Sequence, residues 1–268
     1  MALLIKFILS AAAFYVVLIT FFALMQGAIL FPRSLVGPAP ALPGGTERLS
    51  LTRPGGTVLH GSLIQGQDPS KPLILAFGGN AWNADAVALF MHRVIPDHPV
   101  AAFHFRGYAP STGRPSAQAL KADTLALYDL VSETAPHGVI AVGFSVGSGL
   151  AAHLTAERPV SGAILVTPFD SLLAIGQQTL PWAPVRYLFR HEINALDALN
   201  ASTPPIALIL ATYDEVIPPQ RAEALVEGLE TSERPVAHIT RIEAGHNDIY
   251  NHPEFAAALR NALDALSD

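Results

Sequence analysis

The residues with the clearest chemical potential are Gly143-Phe144-Ser145-Val146-Gly147, a G-x-S-x-G motif between an apolar run, VIAVGF, and SGLAAHLTAE, which has helix-forming composition. A serine hydroxyl is a poor nucleophile until it is exposed beside a base. A sharp strand-to-helix turn supplies the exposure, and small flanking residues keep strand and helix apart. If Ser145 is the nucleophile of such a turn, acid and base follow it in the order Ser, Asp/Glu, His. Of the ten histidines, only His238, His246 and His252 lie beyond the later apolar runs. His238 sits inside AHITRIEA and His252 precedes Pro253, whereas His246 follows Gly245 directly after a run, where a loop can carry an imidazole over strand ends. His246 is therefore the expected general base.

A carboxylate behind that imidazole would fix its tautomer and stabilise the imidazolium. Asp214 in ATYDEVIPP, after IALILA, suits this role, and Asp170 at the end of GAILVTPFD is its rival. Glu215 and Asp248 are weaker candidates. Acyl transfer also needs donors for a developing oxyanion: the backbone N–H of Val146, and that of Asn80 in the glycine loop Phe77-Gly78-Gly79-Asn80. Tyr108, in Arg106-Gly107-Tyr108, either walls the pocket or packs, and Arg106 is expected to lock loops. The histidines lack ligand spacing and no G-x-x-x-x-G-K-[ST] occurs, so neither metal nor other cofactor is expected.

These residues need a scaffold that brings strand ends together. Short apolar runs (TVLHGSLI, PLILAFGG, PVAAFHFRG, VIAVGFS, GAILVTPF, IALILATYD, AHITRIEA) alternate with segments mostly long enough for a helix. That pattern implies an α/β fold with a mostly parallel, doubly wound sheet and helices on both faces. Ligands of such sheets sit beyond the carboxyl ends of the strands. A segment of about 170–203 reads as a small lid, whose LPWAPVRYLF stretch, with Trp182, either lines an acyl pocket or packs on the core.

Ahead of this domain, Phe7 to Phe31 runs uncharged between Lys6 and Arg33, longer than the roughly 20 residues a bilayer span requires. Met25 and Gln26 spoil a signal-peptide cleavage site, so residues 1–35 are expected to be an uncleaved anchor with one transmembrane helix at about 7–31. Residues 36–46 then form a Pro/Gly-rich linker and 47–268 a hydrolase domain. Lys6 and the α-amino group nearly balance Arg33 and Arg48, and an outward-facing domain is the working expectation. A net charge of -6 with no Lys/Arg run excludes a nucleic-acid partner. The absence of cysteine removes disulfides and thiolate chemistry. The sequence sets no oligomeric state.

Taken together, FGGNAWN, FRGYAPSTGRPS, GFSVGSGLA, TPFDSL, PWAPVRYLF, DEVIPP and GHND resemble the bud-emergence (Bem) type of α/β hydrolases. The resemblance implies the α/β-hydrolase fold in a single-pass, membrane-anchored serine hydrolase near the lysophospholipase, acylglycerol lipase and serine aminopeptidase groups. It implies Ser145, Asp214 and His246 as triad and Asn80 and Val146 as oxyanion donors, favouring Asp214 over Asp170. Two departures are Gly78-Gly79, where the family usually has His-Gly, and Ala109, where RGYG is commoner. The expected activity is cleavage of a carboxylic ester, possibly of a lipid. An amidase or aminopeptidase using the same groups and a catalytically silent, membrane-tethered binding protein are the alternatives.

Overall fold

The computed structural model describes residues 1–267. Helix α1 (Ala2–Leu30) is followed by a short 3-10 turn at Arg33–Leu35. The Pro/Gly-rich segment behind it has no regular element before β1, but it is docked: the Gly37 carbonyl accepts from Asn83 Nδ2 at 3.1 Å, and Leu42 packs on the core.

Eight strands form one sheet: β1 (Glu47–Thr52), β2 (Val58–Ile64), β3 (Leu73–Phe77), β4 (Val100–Phe103), β5 (Val139–Phe144), β6 (Gly162–Val166), β7 (Ile206–Ala211) and β8 (His238–Ile242). Their order is β1-β2-β4-β3-β5-β6-β7-β8. Only β2 runs against its neighbours; the pairs from β4 to β8 are all parallel. One strand, β1, escaped the sequence reading. It is an edge strand reading ERLSLT, and its exposed Glu47 and Arg48 break the apolar signature of its neighbours.

The consecutive apolar residues of the central strands serve both faces. In β3, Leu73, Leu75 and Phe77 enter one core, while Ile74 and Ala76 enter the other. Helices α3 (Ala117–Ser132) and α4 (Val146–Glu157) cover the first face, and α2 (Ala84–Val94) and α9 (Phe255–Ala265) the second. Helix α8 (Pro219–Thr231) joins the first face through Leu225 and Leu229. Residues 170–203, between β6 and β7, hold α5 (Leu172–Thr179), α6 (Val185–Leu188) and α7 (Ala195–Asn200). Helix α7 packs on α4, whereas α5 and α6 face α1.

Candidate active site

β5 leads directly into Ser145, which takes φ 53° and ψ −121° before α4 begins at Val146. A non-glycine residue in this region stores roughly 1–3 kcal/mol of strain. The surroundings hold it there. The Ser145 N–H donates to the Val166 carbonyl at 3.0 Å, and the Ser145 carbonyl accepts from both the N–H and the hydroxyl of Ser148, at 2.8 and 2.6 Å. Two flanking positions admit no side chain. A Cβ on Gly143 would strike the Gly147 carbonyl, and one on Gly147 would strike the Phe77 carbonyl. The motif's glycines are therefore dictated by the packing of β5, α4 and the end of β3.

His246 arrives by the turn after β8. Its Nε2 lies 3.0 Å from Ser145 Oγ and its Nδ1 lies 2.7 Å from Asp214 Oδ2. The other carboxylate oxygen of Asp214 accepts from the backbone N–H groups of Val216 and Ile217, at 2.9 and 2.7 Å. Asp214 is thus fixed on both oxygens. All three side chains are buried, at 9% exposure for Ser145, 8% for Asp214 and 4% for His246. The rival Asp170 is elsewhere: its Oδ2 pairs with Arg221 at 3.1 Å, and burial raises its carboxyl above the ordinary range.

Glu215 has a different part from the one considered in sequence. Its Oε2 accepts the backbone N–H of His246 at 2.9 Å, which holds its carboxyl below the ordinary range. A Cβ at Gly245 would come within 2.7 Å of that same oxygen, so a glycine before His246 lets the carboxylate reach in.

A cleft of about 380 Å³ opens over Ser145 and His246, walled by Gly79, Asn80, Ala81, Trp82, Val216 and Tyr250. The loop after β3 brings Gly79 against the serine: a Cβ built there would lie 3.6 Å from Ser145 Cβ. Val146 is the first residue of α4, where a helix has no internal acceptor for the N–H. Trp82 packs against Tyr250, Phe144 and Phe90, with ring centroids 5.0, 5.2 and 5.4 Å away, making one wall a stack of aromatics. Burial pushes the Tyr250 hydroxyl up to about 12.

Of the two aromatic residues considered for either a pocket wall or packing, neither lines this cleft. Tyr108 is 2% exposed and lies behind the loop, where its hydroxyl donates to the Asn80 carbonyl at 2.8 Å and burial raises its pKa. Trp182 lies against α1 instead, its carbonyl accepting from Tyr15 Oη at 2.9 Å. The wall is formed by Trp82 and Tyr250, which the sequence reading passed over. Their nearness to Asn80 and His246 along the chain was the available signal. Arg106 makes a bidentate pair with Asp123, which also takes Arg53 at 3.1 Å, so it ties loops together away from the cleft. Among the described residues, no group of three or more His, Asp or Glu side chains is placed to hold a metal ion.

No family model matches the chain. It is 29% identical over 248 residues to the uncharacterized protein Rv2307c of Mycobacterium tuberculosis, covering 89% of this chain and 84% of that one. To the uncharacterized protein YfhR of Escherichia coli K12 it is 27% identical over 267 residues, covering 92% and 90%. It is also 29% identical over 165 residues to human alpha/beta hydrolase domain-containing protein 17B, covering 60% of this chain and 54% of that protein. Among solved structures, a Pyrococcus furiosus esterase superposes with a TM-score of 0.67 at 18% identity, covering 87% of this chain and 98% of the esterase. A hydrolase from Pseudomonas aeruginosa gives 0.60 at 17% identity, covering 82% and 99%. The chain has the α/β-hydrolase fold, with the eight-stranded, mostly parallel sheet described above.

Proposed function

We propose that this protein is a membrane-anchored serine hydrolase that cleaves a carboxylic ester through an acyl-enzyme on Ser145. The observation that carries the reading is the continuous chain Ser145 Oγ, His246 Nε2, His246 Nδ1, Asp214 Oδ2, with steps of 3.0 and 2.7 Å, at the edge of an open cleft. His246 takes the Ser145 proton as Oγ attacks the ester carbonyl, and Asp214 stabilises the resulting imidazolium. The oxyanion is held by the backbone N–H groups of Val146 and Asn80, donors worth roughly 2.7–4 kcal/mol apiece in comparable sites. His246 then passes its proton to the departing alcohol. Water, deprotonated by the same imidazole, releases the acid and restores Ser145.

Trp82, Ala81, Val216 and Tyr250 give the cleft an apolar lining that suits an acyl group. An ester substrate is in line with the esterase among the proteins that share the fold. The resemblance to bud-emergence-type hydrolases supports the same chemistry, with α1 as the anchor and a lipid-like ester as the substrate; residues 170–203, expected as a lid, line α1 and α4 and not this cleft.

The test is labelling of the detergent-solubilised full chain by a fluorophosphonate. Wild type should label; Ser145→Ala should not, and His246→Ala should label far more slowly. A folded wild type that resists the reagent and turns over no ester would leave a silent binding protein as the better reading.

A further inference from the structure

Helix α1 and the α5–α6 segment line a partly open groove of about 230 Å³, separate from the cleft at Ser145, with no lining residue in common. Ile19, Phe22 and Ala23 line it from α1, and Ile175, Trp182 and Ala183 are among those facing them. Its walls are apolar except at Gln26 and Thr179. The polar groups of Gln26 are already engaged: its amide nitrogen donates to the Ala23 and Leu188 carbonyls at 2.6 and 3.1 Å, and its oxygen accepts the Arg190 N–H at 2.8 Å. Little is left for water to bond. Covering such apolar walls with hydrocarbon removes them from water, a gain of roughly 25 cal/mol per Å².

The position of the groove says which guest is at hand. α1 is 29 residues long, about 43 Å at roughly 1.5 Å per residue, and it is long and apolar enough to cross a bilayer. A hydrocarbon core takes about 20 residues. With Lys6 at one polar boundary, that length ends near Gln26. Yet the α5–α6 segment touches α1 from Tyr15, through the bond to the Trp182 carbonyl, up to Gln26. A spanning α1 therefore carries residues 180–189 into the leaflet on the side of the hydrolase domain. Leu188 and Arg190, both bonded to Gln26, stand at the level of that boundary, where Tyr187, 81% exposed, and the neighbouring Arg186 and Arg190 suit the headgroup region.

We propose that the groove is a lipid site, taking one acyl chain of a phospholipid from that leaflet and so seating the α5–α6 segment in the membrane. The proposal rests on the reading of α1 as a membrane span.

The experiment uses the full chain in phosphatidylcholine vesicles containing a phosphatidylcholine with a diazirine near the end of one acyl chain, irradiated and mapped by peptide mass spectrometry. Flotation of the vesicles first reports whether the protein is in the membrane. Wild type should carry adducts within residues 19–30 and 172–189. The groove-filling variants Ala23→Phe and Ala183→Phe should lose those adducts while keeping the ones within 7–14. Circular-dichroism melting of each variant at the wild-type temperature reports an intact fold, and either variant alone suffices. Floating protein that is labelled only within 7–14, or filled variants labelled like wild type, would overturn the lipid site and leave the anchor standing. Protein that fails to float would overturn the anchor and the site together.

Discussion

The cleft at Ser145 and the contact between α1 and the α5–α6 segment are organised by opposite physics. In the cleft, polar groups converge and each is held by a partner: Ser145 by Val166 and Ser148, Asp214 by two backbone N–H groups, His246 by Glu215. At the α1 contact, apolar side chains meet around a groove, and Gln26 is the main polar fastening. Directed bonds fix atoms to a fraction of an ångström, which acyl transfer requires. Apolar packing without such bonds tolerates repacking and exchange of guests. Damage to the cleft should therefore abolish chemistry at little cost to the fold, and damage to α1 should do the reverse.

The largest expected effect separates the two acids. Asp214→Asn should lower kcat for a soluble ester by about 10⁴-fold, as in enzymes where the orienting acid is lost. Asp170→Asn should leave kcat within about tenfold of wild type, because that carboxylate meets Arg221 and not His246. Steady-state kinetics of the two variants side by side would break the assignment if the order were reversed.

At the other region, Gln26→Leu removes the bonds to the Arg190 N–H and the Leu188 carbonyl, a loss of about 1 kcal/mol. The expected readout is a lower melting temperature in detergent with kcat unchanged. A fall in kcat without loss of stability would mean that the two regions are coupled.

Tyr108→Phe removes the hydroxyl that holds the Asn80 carbonyl, about 1 kcal/mol. It should lower kcat about fivefold with KM nearly constant, since the loop would position its oxyanion donor less well. An unchanged kcat and a raised KM would instead put Tyr108 in substrate binding.

The smallest effect is in pH dependence. The hydrogen bond from His246 holds the Glu215 carboxyl below its ordinary range, so the ionised form stabilises the loop. That contribution is present above the ordinary Glu range and is lost as pH falls through the depressed folded value. Glu215→Gln should flatten this acid limb of loop stability, read by hydrogen exchange at residues 244–247.

Legibility in the sequence follows the same division. Ser145, His246 and Asp214 are readable because strand ends in a parallel sheet converge, and a glycine-flanked serine or a histidine after a strand has few other uses. Asp214 and Asp170 both follow apolar runs, so the residues alone leave them as rivals; the family resemblance favours Asp214, and the coordinates place Asp170 on Arg221. Trp182 lines the groove at α1 and not the cleft at Ser145, and the sequence does not show this for a different reason. α1 is apolar all round, so composition marks no face, yet the partly buried positions Ile19, Phe22, Ala23, Gln26 and Leu30 form a stripe against the α5–α6 segment. A uniform helix hides its partner. β1 was missed because edge strands carry charge where central ones cannot.

Ester cleavage by this route requires that Ser145 become acylated. Rapid mixing of the solubilised full chain with p-nitrophenyl butyrate should give a burst of p-nitrophenol approaching one equivalent per chain, and acid quenching should trap a butyryl group on the peptide containing Ser145. Steady ester turnover that persists in Ser145→Ala, or a butyryl group trapped on another residue, would contradict it.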